Sequence, residues 1–60
     1  MTIKELLVEL FLADGRDTGG AQEQAMQVIA RARRGEAVSF KSRGITYVLR
    51  QGEGPDRTLN

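Results

Sequence analysis

The chain has 60 residues, no Cys, no His and a formal net charge of +1. So short a chain makes one small domain, burying only about 60% of the surface that its unfolded form exposes. The missing residue types exclude disulfides, thiolate metal sites, the commonest zinc ligand and the commonest general base. Self-association is the remedy for a thin core that this composition leaves open.

A first helix is predicted from Ile3 to Ala13. Ile3, Leu6, Leu7, Leu10 and Phe11 fall on one helical stripe. Thr2 and Glu5 form a capping-box pair, and Gly15 offers a left-handed stop. Val8 and Leu12 lie off the stripe, so this helix is apolar nearly all round. Such a helix is covered on more than one side, which makes Val8 and Leu12 the candidate dimer or partner interface. Glu5 and Glu9 interrupt the stretch, which lacks the basic flank and cleavage site of a signal peptide. No run approaches the ~18 apolar residues of a membrane span. A cysteine-free chain of this kind is expected in the cytoplasm.

Residues 15–20, Gly-Arg-Asp-Thr-Gly-Gly, read as a loop with Asp17 or Thr18 capping the next helix. They match neither a P-loop nor a calcium loop. The second helix is predicted from about Gly20 or Ala21 to Arg34, with Ala21, Ala25, Val28, Ile29 and Ala32 inward. Its alanines allow a close approach by the first helix. Gly35 is its stop. Glu23 near its start and Arg31, Arg33 and Arg34 near its end complement the helix dipole. A β-hairpin follows, from Ala37–Lys41 and Ile45–Arg50. The favoured register pairs Phe40 with Ile45 and Val38 with Tyr47, which puts Val38, Phe40, Ile45, Tyr47 and Leu49 on one face. The alternative is a type I turn with a glycine bulge, which moves the pairing by one residue. Residues 52–60 contain two Gly and one Pro and read as a disordered tail. The expected fold is thus a helix–helix–hairpin α+β domain over residues 1–51, completed by dimerisation through Val8 and Leu12 or through the hairpin edge.

Charge is unevenly spread. Residues 1–30 carry Lys4 and Arg16 against Glu5, Glu9, Asp14, Asp17 and Glu23, a net −3. Residues 31–50 carry Arg31, Arg33, Arg34, Lys41, Arg43 and Arg50 against Glu36, a net +5. This pattern points to an anionic partner or to charge-matched self-association. Arg31, Arg33, Arg34, Lys41 and Arg43 are the candidate contacts for nucleic acid or an acidic partner, as a helix end and a hairpin tip straddling a phosphate backbone.

Residues 29–49, with the Gly35-Glu36 pair, Val38 and Phe40, the turn glycine Gly44, and Tyr47 and Leu49, resemble the N-terminal domain of the Phd/YefM antitoxins. Small phage head-joining proteins look similar over the same region. The N-terminal stretch lacks the family's opening strand and its operator-contacting helix motif, and only about ten residues follow the hairpin. The resemblance implies a small dimeric α+β domain and DNA contact, without carrying over any DNA-reading or toxin-binding residue.

No catalytic constellation is present, so an enzyme is not expected, nor a cofactor, metal or small-molecule substrate. The expected function is a small dimeric interaction protein of the phage- or plasmid-accessory or inhibitor kind, acting by protein–protein contact. The alternative is a small dimeric DNA-binding regulator of antitoxin type.

Overall fold

A computed structural model of the chain describes residues 2–57. Helix α1 spans Ile3–Ala13 and is capped by Thr2. The Thr2 hydroxyl accepts from the Glu5 N–H at 3.1 Å and donates to Glu5 Oε1 at 3.2 Å. Helix α2 spans Thr18–Arg33, starting two or three residues earlier and ending one residue sooner than the sequence suggests. Asp17 is its N-cap, and its carboxylate accepts from the Gly20 N–H at 2.7 Å. Both helices stop in the same way. The Arg16 N–H donates to the Phe11 carbonyl and the Gly15 N–H to that of Leu12; Glu36 and Gly35 repeat this pair on Arg31 and Ala32. Each is a Schellman motif, which requires a left-handed residue at the position of the glycine. Gly15 has φ 96° and Gly35 φ 95°.

The four residues between the helices return α2 antiparallel to α1, as short helix connections do. Ala21, Ala25, Val28 and Ala32 are buried along α2 and meet Leu7 and Phe11. Val8 and Leu10 pack against this core from the flanks of α1, while Ile3 and Leu12 are 43% and 40% exposed. The buried line of α1 is therefore narrower than its apolar pattern.

The sheet is antiparallel in the order β1 (Val38–Ser42), β2 (Ile45–Arg50), β3 (Glu53–Arg57). Phe40 pairs with Tyr47, Val38 with Leu49 and Ser42 with Ile45. This differs by two residues from the favoured register and by one from the bulged alternative. The reason lies in the turn: Arg43 (φ 53°) and Gly44 (φ 79°) both take positive φ, the hallmark of a two-residue type I′ hairpin. A slip of two leaves every side chain on its own face, so Val38, Phe40, Tyr47 and Leu49 remain inward, but Ile45, expected with them, is exposed beside the turn. Phe11 meets Phe40 with ring centroids 5.2 Å apart, and Phe40 stacks on Tyr47 at 5.6 Å.

The third strand corrects the sequence reading of 52–60 as a tail. Residues 53–57 pair with β2, and only 58–60 lie outside the described residues. β3 tolerates its Gly and Pro because it is an edge strand with a bulge opposite Leu49, the setting in which Pro is allowed. Gly54 has φ 90°, and a Cβ there would stand 2.9 Å from the Val48 carbonyl oxygen.

Gly54→Ala should therefore destabilise the domain by about 1–3 kcal/mol. Gly44→Ala, with the same kind of backbone strain but open space around it, should lose only ~1–2 kcal/mol. Urea melts of the two variants check the order.

Candidate functional site

The hairpin tip is tied to the far end of α1. Ser42, buried to 1% exposure, donates its hydroxyl to the Leu10 carbonyl at 2.5 Å. The Arg43 N–H donates to Asp14 Oδ1 at 3.0 Å. The other end of the sheet, at Arg50–Gly52, lies beside Thr2–Lys4. α1 thus crosses the sheet from the β2–β3 turn to the β1–β2 turn, touching both outer strands.

This arrangement separates the predicted basic residues. Arg31, Arg33 and Arg34 cluster at the C-terminal end of α2, beside the start of α1. Lys41 and Arg43 sit at the other end of α1. Eleven helical residues at ~1.5 Å each put about 16 Å between the two groups. The helix end and the hairpin tip do not form one face. Within the first group, Glu36 holds Arg31 at 3.4 Å and Arg34 at 4.0 Å. Arg31 and Glu36 are about half exposed and Arg34 is 71% exposed, so such pairs add under ~1 kcal/mol each. Arg16, in the loop between the helices, lies over the Phe11 ring at 5.4 Å from its centroid.

Two cations that were not singled out complete the arrangement at the α2 end. Lys4, Arg33 and Arg50 line a groove of about 400 Å³, together with Ile3, Ile29, Ala32, Leu49 and the Gln51–Gly52 turn. No acidic side chain is among its described lining residues. The signal for these two was available. A short interhelical loop returns the end of α2 to Lys4, and a hairpin returns the end of its second strand to the level of its start, beside Gly35.

The candidate interface pair is split in its environment. Val8 is partly buried against the core, whereas Leu12 is exposed. Val8 also borders a shallow depression with Thr2, Lys4, Glu5, Glu9 and Gln22, so Lys4 lies between this depression and the groove. Among the described residues, no group of three or more Cys, His, Asp or Glu could hold a metal ion, and no helix is long and apolar enough to cross a membrane. Comparison with known protein families, characterised proteins and solved structures gives no match. The antitoxin resemblance of residues 29–49 therefore rests on local sequence pattern.

The separation has a direct test on a heparin column eluted with salt. Paired replacement of Arg33 and Arg50 by Gln should advance elution clearly. Paired replacement of Lys41 and Arg43 should act independently of it, so that the quadruple variant shows the sum of the two shifts.

Proposed function

We propose that the chain is a small non-enzymatic interaction module that works by protein–protein contact at its Lys4–Arg33–Arg50 end. The observation that carries this reading is the make-up of the groove. The exposed cations Lys4, Arg33 and Arg50 line it together with the aliphatic Ile3, Ile29, Ala32 and Leu49, beside Thr2, Gln51 and Gly52. A phosphate backbone is held by donors throughout a contact, and a floor of Ile3, Ile29 and Leu49 supplies none. A protein partner brings both charge and apolar surface. The lack of His and Cys leaves few groups suited to acid–base or nucleophilic chemistry, which supports the non-enzymatic reading.

Self-association is a second part of the proposal. Leu12 stands exposed on α1 with Val8 beside it, in a chain whose core is small for stable folding alone. A symmetric dimer covering this strip fits the usual isologous pattern. The DNA-binding alternative draws on the three arginines at the end of α2. It is the weaker reading, because Glu36 shares its charge with two of them and the hairpin-tip cations lie at the opposite end.

Light scattering should give a dimer at micromolar concentration, and Leu12→Glu should give a monomer that still folds by circular dichroism. On a DNA column, the wild-type chain should elute below physiological salt. Retention above it, falling with the steep log–log salt slope of counterion release, would favour the DNA-binding reading instead.

A further inference from the structure

We infer that the groove between the start of α1, the end of α2 and the β2–β3 turn takes an acidic peptide segment carrying one large apolar side chain. This deepens the interaction-module reading and rests on it. Three observations converge. Ile3 is 43% exposed at the groove, although its position on the helical stripe would suit the core. Its neighbours there are Ile29, Ala32 and Leu49, so an incoming aliphatic or aromatic side chain finds a continuous apolar floor. The space, about 400 Å³, lies at the low end of ligand-pocket sizes and has room for one large apolar side chain with its flanking backbone.

The rim supplies the second requirement. Lys4, Arg33 and Arg50 come from three different elements and converge on one groove with no acid among its described lining residues. Carboxylates flanking the apolar residue would meet them while remaining partly in water. Lys4 gives the third point. It sits in the first turn of α1, where a cation opposes the helix dipole. A local rule broken on the surface without a structural gain is the mark of a functional position. Together with the N-terminal end of α1, Lys4 adds positive potential where the segment's carboxylates would lie.

Nucleic acid fits these features poorly. Its phosphates would find the cations, but its polar backbone leaves the apolar surface of Ile3, Ile29 and Leu49 without a matching group.

Fluorescence anisotropy with short labelled peptides tests the inference on the full chain. The probe peptide has a single Leu flanked by Asp and Glu. It should bind saturably. Replacing its Leu by Ala should weaken binding about tenfold, a loss of about 1.4 kcal/mol, and replacing its acids by Lys should abolish binding. On the protein, Ile3→Ser and Arg33→Gln should each weaken binding about tenfold with melting temperature nearly unchanged. Lys41→Gln, at the other end of the molecule, should leave it as it was. Equal binding of the Leu and Ala peptides, or insensitivity to Ile3→Ser, would overturn the inference. If the acidic peptide fails to bind while Leu12→Glu still separates a dimer, the groove assignment falls, and the interaction-module reading stands on its self-association part alone. If a single-stranded oligonucleotide binds, loses affinity with Arg33→Gln and excludes the peptide, both fall.

Discussion

The hydroxyl of Ser42 on the Leu10 carbonyl is the contact on which the layout of this molecule depends. Ser42 is the single buried polar side chain among the described residues, and a hydroxyl taken out of water needs a partner. It finds one only where the hairpin tip meets the last turn of α1. The neighbouring bond from the Arg43 N–H to Asp14 fixes the same meeting from the turn itself. With the tip anchored there, the direction of the hairpin follows, and so does the position of its other end. Arg50 and the β2–β3 turn must come back beside the start of α1. The gathering of Lys4, Arg33 and Arg50 around one groove is thus a consequence of where the hairpin tip is fastened.

Packing supports that geometry with little material. Alanine at three buried positions of α2 leaves room for Leu7 and Phe11 to reach between the helices. Phe11 then continues into Phe40 and Tyr47, so one run of rings joins α1 to both strands of the hairpin. Such ring contacts add about 0.5–1.5 kcal/mol beyond the area they bury. In a core this small, that is a considerable share. β3 closes the sheet on its second side. Gly54 in that strand brings its backbone against Val48 and Leu49 more closely than any side chain allows.

Much of this was legible in the sequence, and the misses have physical causes. The span of α1, the alanine face of α2, both glycine stops and the inward face of the hairpin follow from periodicity and cap chemistry, which act locally. The register was missed by two residues because the face pattern repeats every two residues and cannot distinguish the pairings. Only the positive φ of Arg43 beside Gly44 decides it, and arginine is not a residue that announces such a turn. β3 was missed because Gly52, Gly54 and Pro55 signal a loop wherever pairing is considered strand by strand. The strand exists because β2 offers it an edge. Among site residues, Arg31, Arg33 and Arg34 stand at one helix end, as their sequence positions require, but Arg31 and Arg34 turn to Glu36 while Arg33 lines the groove. Joining them to Lys41 and Arg43 failed because proximity in sequence says nothing of the direction in which a hairpin lies. Lys4 and Arg50 are distant from Arg33 in sequence, and the short interhelical loop and the return of the hairpin bring them beside it.

The net charge of +1 conceals a division that matters for any charged partner. Screening in physiological salt has a length of about 8 Å. The cations at the hairpin tip lie about 16 Å from the groove, two screening lengths away, so they add almost nothing to its potential. The field at the groove is therefore set by Lys4, Arg33 and Arg50, by Arg31 and Arg34 discounted for Glu36, and by Glu5 on the opposite side of the helix start. Glu9 is a further acid on α1, beside the depression that holds Val8. An approaching acidic segment is drawn to one end of the molecule and turned away from the outer side of α1. Charge of this kind contributes more to orientation and encounter rate than to final affinity. The affinity must then come from apolar burial, and the place beside these cations that offers it is the floor formed by Ile3, Ile29 and Leu49.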